Sequence, residues 1–186
     1  MLFVCTGNIH RSPLAERLLT ARLGSLAVPT AGFEVSSAGT AARVGAPMDP
    51  VAATLLTELG GDPCGAPARK LTAALVERAD LVLGAAVEHR EAAVRLSPLW
   101  SLQRAFTLRE FARLLRPEDA TGAADPTERA AALVSGAAAR RGAERARKDD
   151  DVIDPYGAPV RVAREAAARV AESVDRIAAA LLAPLP

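Results

Sequence analysis

The sequence predicts a single α/β domain of Rossmann-like type, with a central, mainly parallel four-stranded sheet flanked by helices. Three observations predict it. Short apolar runs alternate with helical ones along the chain, the pattern of βαβ units. The first apolar run passes at once into a glycine-containing loop and a helix start, a junction suited to binding an anion. The length, 186 residues, suits one domain with a sizeable core, and the chain carries no internal repeat.

Strands are expected near 1–5, 33–37, 80–84 and 103–107, where apolar and β-branched residues cluster between turn formers. Helices are expected near 13–24, 49–60, 71–78, 87–96, 109–115 and 160–182. The last has the clearest period: Ala163, Ala167, Val170, Val174, Ile177 and Leu181 recur at steps of four and three, and Arg164, Glu165, Arg169 and Glu172 fall elsewhere on the surface. Pro184 and Pro186 end it.

The most informative stretch is Leu2-Phe3-Val4-Cys5-Thr6-Gly7-Asn8-Ile9-His10-Arg11-Ser12-Pro13, which sets a cysteine six residues before an Arg-Ser pair. Leu2-Phe3-Val4 reads as a buried strand, Ser12 as a helix cap and Pro13 as a first-turn residue. Between them the chain, including Gly7, can curl so that its N–H groups converge at the positive end of a helix dipole. An oxyanion fits there, and the same field favours the Cys5 thiolate. Arg11 adds a planar fork of donors matched to two phosphate oxygens, and Ser12 can donate its hydroxyl to the departing sulfur. A plain buried cysteine ending a strand is the alternative, and the strand before and helix after argue against it.

These residues resemble the low-molecular-weight protein tyrosine phosphatases, whose strand-loop-helix matches here at Cys5, Gly7, Asn8, Arg11, Ser12, Pro13, Ala15 and Glu16. The resemblance continues in Ser36-Ser37-Ala38-Gly39-Thr40, Val44-Gly45, Asp49-Pro50, Ala79-Asp80-Leu81-Val82-Leu83, Phe106-Thr107-Leu108 and Asp154-Pro155-Tyr156-Gly157, in the family's order. It implies that the loop Thr6, Gly7, Asn8, Ile9, His10, Arg11 and Ser12 binds phosphate and that Cys5 is the nucleophile. It also implies that Asp154 is the general acid, and that Asn8 with Ser37 braces the loop. Glu16 is expected to be structural. The loop Ala41-Ala42-Arg43, where the family often has Trp or Tyr, more nearly resembles bacterial branches that act on polysaccharide-linked tyrosine kinases or on phosphoarginine; Arg43 is expected on the substrate rim. Where the family commonly has a second cysteine, this chain has His10.

Composition limits the partners. A formal net charge of +1 gives no global reason to expect nucleic acid or an anionic membrane. No apolar run reaches the length of a membrane span, and the N-terminal run is too short for a secretory signal. With two cysteines, one of them a reactive thiolate, a disulfide framework is not expected and a reducing cytoplasm is. Cys64 lies in a Gly/Pro-rich loop without metal-ligand spacing; no metal and no cofactor are expected.

Residues 117–151 read as an insertion, with an Ala/Arg/Glu-rich middle from Pro126 to Arg147 of good helix propensity. Arg140, Arg141, Arg145, Arg147 and Lys148 are either a docking surface for an acidic partner or a solvated, partly mobile helix; the second is expected. Asp149-Asp150-Asp151 reads as exposed loop. Asp154 differs because Pro155-Tyr156-Gly157 fixes a turn after it. Tyr156 either flanks the substrate or packs, and the rim is favoured. His89, beside Glu88 and Arg90, reads as a surface histidine.

The expected function is a bacterial phosphomonoesterase that hydrolyses protein phosphotyrosine through a cysteinyl phosphate, its partner a phosphorylated protein such as a bacterial tyrosine kinase. A protein arginine phosphatase of the same family is the alternative. Two rivals are more remote. An arsenate reductase needs a cysteine relay that Cys64 alone cannot supply. A weakly active regulatory module does not need the complete set Cys5, Arg11, Ser12 and Asp154, and turnover of p-nitrophenyl phosphate separates it from an enzyme.

Overall fold

The structure, a computed structural model, describes residues 1–24, 32–123, 125–144 and 147–182. Arg145, Pro184 and Pro186, named above, lie outside these described residues. Strands β1 (Leu2–Cys5), β2 (Ser36–Gly39), β3 (Val82–Gly84) and β4 (Ala105–Thr107) form one sheet in the order β2-β1-β3-β4, every pair parallel. Helices α1 (Arg11–Gly24), α2 (Pro50–Glu58), α3 (Ala73–Arg78), α4 (Val87–Leu96), α5 (Pro98–Ser101), α6 (Leu108–Leu114), α7 (Pro126–Arg141) and α8 (Val160–Leu182) flank it.

Alternation along the strands divides the core in two. Phe3, Leu83 and Phe106 point to one face, where Leu14, Leu18, Val170, Val174 and Ile177 of α1 and α8 pack. Leu2, Val4, Val82 and Ala105 point to the other, against Val76 and Ala93 of α3 and α4. All six residues named for the stripe of α8 are buried, as their spacing requires. The strand order reverses direction between β1 and β3, so the carboxyl end of β1 opens into the crevice where such sheets bind ligands.

Local chemistry sets the boundaries. Asp49 caps α2 through Val51 and Ala52 N–H, and Thr107 with Glu110 closes a capping box on α6, so each helix begins where its cap stands. Two expectations shift. The second strand was expected near 33–37 but pairs with β1 only from Ser36, because Leu2 opposes Ser36 and Cys5 opposes Gly39. Ser12 is not the cap of α1: the helix starts at Arg11, and the Ser12 hydroxyl turns back to the cysteine.

The segment 117–151 is packed, contrary to a solvated helix. A 3-10 turn, Pro117–Ala120, leads to α7, which buries Arg129, Leu133 and Ala137. Arg140 holds Asp119 and the Leu114 carbonyl. Arg141 lies over the Phe106 ring, 3.6 Å from its centroid, and donates to the Ala105 carbonyl at 2.7 Å. These two arginines therefore point inward, and a docking surface built on them is ruled out.

Candidate active site

The loop after β1 is held by its own side chains, by the neighbouring strand β2 and by Asp49, Arg69 and His89 from farther along the chain. Asn8 takes a left-handed backbone, φ 53°, so this residue and not Gly7 makes the turn. Its amide N–H₂ donates to Ser37 Oγ at 2.7 Å and to Ser12 Oγ at 3.0 Å, while its Oδ1 accepts the Arg69 N–H at 2.7 Å. Ser37 Oγ in turn donates a hydrogen bond to Glu16 Oε2. The expected bracing pair, Asn8 and Ser37, is thus in contact. Gly39 allows β2 to approach: a Cβ there would stand 2.5 Å from the Thr6 carbonyl oxygen. The Ala41 N–H bonds that oxygen at 2.9 Å, and the Asp49 N–H bonds the Ile9 carbonyl at 2.8 Å.

Cys5 is buried at the bottom of this curl. Its Sγ lies 3.0 Å from Ser12 Oγ and accepts the Asn8 N–H at 3.3 Å. Because Ser12 Oγ already accepts from Asn8, its proton is free to point at the sulfur, which is nearer than the Ala38 carbonyl at 3.4 Å. An N–H, an O–H and the start of α1 all face the sulfur.

Arg11, 4% exposed, spans the cleft. It donates to the Val152 carbonyl at 3.0 Å and pairs with Asp154 at 2.8 Å. Asp154 is half exposed, and its Oδ1 accepts the Tyr156 N–H at 3.1 Å, the turn expected from Asp-Pro-Tyr-Gly. Asp149-Asp150-Asp151 is more than exposed loop. Asp150 is buried and takes two bonds from Arg113, at 3.1 and 2.9 Å; burial pushes its pKa up, but Arg113 and the Arg147 N–H outweigh that and hold it below the usual 3.8. Asp151 accepts the Val87 N–H at the start of α4, at 2.9 Å, and the Val152 N–H bonds the Ala85 carbonyl at 2.7 Å.

Above Cys5 opens a cavity of about 520 Å³, lined by Thr6, Gly7, Ile9, His10 and Arg11 on the loop side and by Arg43, Asp154 and Tyr156 at the mouth. Tyr156 is 81% exposed, so it stands on the rim and not in the core. Neither ring nitrogen of His10 has a hydrogen-bond partner among the described residues. Burial lowers its pKa, Arg11 in the same direction, while Asp49 and Asp154 pull it up. His89 corrects the surface reading: it is 1% exposed and its Nε2 lies 3.0 Å from Thr6 Oγ1. Its polar neighbours in sequence mask this burial, and its three-residue offset from the alanine at the helix start is the only local sign. Arg69 and Arg113, which brace the two loops from elsewhere in the chain, carry no motif. Both cysteines are free thiols, and hydrogen bonding and charge from Asp62 raise the Cys64 pKa. No cluster of metal-ligating side chains occurs among the described residues.

The site joins a parallel α/β sheet, a first loop that wraps Cys5 and Arg11, and the Asp154 carboxylate facing them across the cavity. Residues 1–134 match the low molecular weight phosphotyrosine protein phosphatases, and the chain belongs to that family. Etp of Escherichia coli K12, a low molecular weight protein-tyrosine-phosphatase, is 40% identical over 98 residues, 53% of this chain and 62% of Etp, so the match spans less than two thirds of that relative. A protein-arginine-phosphatase of Geobacillus stearothermophilus is 29% identical over 96% of this chain and 93% of its own. The solved low molecular weight protein tyrosine phosphatase of T. tengcongensis superposes with a TM-score of 0.67 at 29% identity, covering 95% of each chain. No helix of the described residues is long and apolar enough to cross a membrane.

Proposed function

We propose that this protein is a phosphomonoesterase that hydrolyses protein phosphotyrosine through a cysteinyl-phosphate intermediate. The observation that carries it is the Cys5 sulfur seated on Ser12 Oγ and the Asn8 N–H at the start of α1, with Arg11 paired to Asp154 across the cleft. The Cys5 thiolate attacks phosphorus, forming the S–P bond as the P–O bond to the leaving group breaks. Arg11 and the loop N–H groups hold the equatorial oxygens, where negative charge must be held in the transition state. Asp154 gives its proton to the departing oxygen. The carboxylate then takes a proton from water, whose oxygen displaces sulfur from phosphorus; the thiolate leaves toward the Ser12 hydroxyl.

Substrate choice turns on Ile9, whose apolar side chain lines the cavity. It suits an aromatic leaving group better than a guanidinium, whose N–H groups would be left unpaired against it. A second reading, phosphoarginine, draws on the near full-length match to the Geobacillus stearothermophilus protein. Phosphotyrosine peptides are expected to give the higher kcat/KM, and Ile9→Thr is expected to shift the ratio toward phosphoarginine peptides. A wild type that prefers phosphoarginine, or an unchanged ratio in the variant, overturns the assignment of Ile9.

Arg43 and Tyr156 are assigned to the substrate rim. A phosphorylated protein is the proposed partner, with a bacterial tyrosine kinase as its candidate, and the need of a cysteine nucleophile for a free thiol supports a reducing cytoplasm as its compartment. Residues 117–151 are read as an insertion in a single domain spanning 1–186.

A further inference from the structure

Thr6 follows the nucleophile, is exposed and lines the cavity. Its hydroxyl has one proton and two lone pairs, so what it offers to the cavity depends on what it does elsewhere. Its side-chain partner among the described residues is His89, at 3.0 Å. That ring sits in the first turn of α4, packed on the end of β3 so closely that a Cβ on Gly84 would lie 3.1 Å from the His89 Cβ.

The other ring nitrogen fixes the tautomer. His89 Nδ1 accepts the Ala86 N–H at 3.1 Å, so it carries a lone pair. A neutral ring with its lone pair on Nδ1 has its proton on Nε2. The opposite tautomer, or the doubly protonated ring, would set an N–H against the Ala86 N–H. Burial and Arg11 hold the ring toward neutrality, against the pull of Glu88, Asp154 and Asp151. Nε2–H therefore donates to Thr6 Oγ1, and the Thr6 proton cannot be spent on His89.

We propose that His89 is a positioning residue, which by donating to Thr6 Oγ1 turns the Thr6 hydroxyl proton into the cradle, where it bonds a non-bridging oxygen of the bound phosphoryl group. The assignment rests on the phosphatase reading for the identity of that group. It adds a side-chain donor to the backbone amides of the loop.

Two substitutions at His89 separate this role from its part in capping α4. His89→Asn keeps an oxygen acceptor near the Nδ1 position for the Ala86 N–H but has no donor that reaches Thr6. His89→Gln places an N–H₂ near Nε2. His89→Asn is expected to lower kcat/KM for p-nitrophenyl phosphate about tenfold, the size of one charge-assisted hydrogen bond, and to weaken orthophosphate binding by calorimetry in the same direction. His89→Gln should recover most of the loss. Thr6→Val should cost as much as His89→Asn, and the double variant no more than either alone. Multiplying losses, or a folded His89→Asn with unchanged turnover and phosphate affinity, overturns the proposal and leaves the phosphatase reading intact. A wild type that binds phosphate but does not hydrolyse the ester sinks the phosphatase reading, while the binding data still decide the role of His89. The ¹⁵N shifts of the wild-type ring give a check independent of any variant: the Nε2–H tautomer is expected, and an Nδ1–H tautomer overturns the inference.

Discussion

The loop of the proposed nucleophile, Cys5 to Ser12, and the loop of the proposed acid, Asp150 to Tyr156, face each other across one cleft but are held by different means. The first is braced mainly by its own Asn8 and Ser12 and by the adjoining strand through Ser37, Gly39 and the Ala41 N–H, with Arg69 and His89 as its distant supports. The second has few internal bonds. It is pinned by Arg113 from α6, by Thr107 at the end of β4, by the start of α4 and by Arg11 from α1. A nucleophile needs fixed geometry at one atom, which a short self-bonded loop supplies. The carboxylate sits at the end of several independent tethers, so its position depends on the packing of α4 and α6.

Breaking the nucleophile side has the largest expected effect. Cys5→Ser should lower turnover of p-nitrophenyl phosphate by about 10⁴-fold or more, because the hydroxyl is not ionised as the thiolate is. Steady-state kinetics check this, and retained turnover would remove Cys5 from the mechanism. Breaking the acid side should cost less and depend on the leaving group. Asp154→Ala is expected to slow phenyl phosphate by about 10²-fold or more and p-nitrophenyl phosphate much less, since p-nitrophenolate departs with little help from a proton. Equal losses would make Asp154 a structural residue.

Cutting a remote tether sharpens the comparison. Arg113→Ala leaves Asp150 buried without its partner, at a cost of about 3 kcal/mol of stability. Displacing the acid loop should lower phenyl phosphate turnover while orthophosphate affinity, set by the other loop, stays near wild type. Chemical denaturation and calorimetry test the two halves. If phosphate affinity falls as far as turnover, the loops are not independently held.

The smallest effect is a pH dependence shared by the two histidines, His10 at the cleft and His89 buried behind Thr6. His10 and His89 both have pKa values lowered below the ordinary 6.5, with burial the main cause. Above 6.5 neither the folded nor the unfolded chain is protonated there, and the stability is complete. As pH falls below 6.5 the unfolded chain takes up protons that the folded chain refuses, so stability declines toward the lowered folded-state values. The fall should approach about 1.4 kcal/mol per pH unit for each histidine. Tm measured from pH 7.5 to 5.5 should drop in the wild type and drop less in His10→Gln. A Tm that rises on acidification would contradict it.

This difference between the loops also explains what the sequence made legible. Cys5, Arg11 and Ser12 lie within one turn of chain, and Asp154 precedes a proline turn, so spacing alone exposes them. The sheet and the stripe of α8 were legible because alternation and helical period are local patterns. Asn8 carries the left-handed turn where glycine was the natural candidate, because its side chain gains three bonds there. His89, Arg113 and Asp150 were illegible because their partners lie 83 and 37 residues away, and charged neighbours make a buried residue read as surface. α7 was misread because its buried stripe is short, Arg129, Leu133 and Ala137, and an arginine that buries its stem reads in sequence as exposed charge.

The outermost strands of the sheet end in chain-derived seals. At β4 the Arg141 guanidinium occupies the outward Ala105 carbonyl, and at β2 the segment around Lys70 bridges Gly39 through the Arg69 carbonyl and the Leu71 N–H. Among the described residues these contacts occupy outward groups on which a second molecule would have to add a strand. Closure of the β4 rim is therefore delegated to a side chain of α7. Loosening α7 would expose that rim before it disturbed the cradle, so self-association should outpace loss of catalysis.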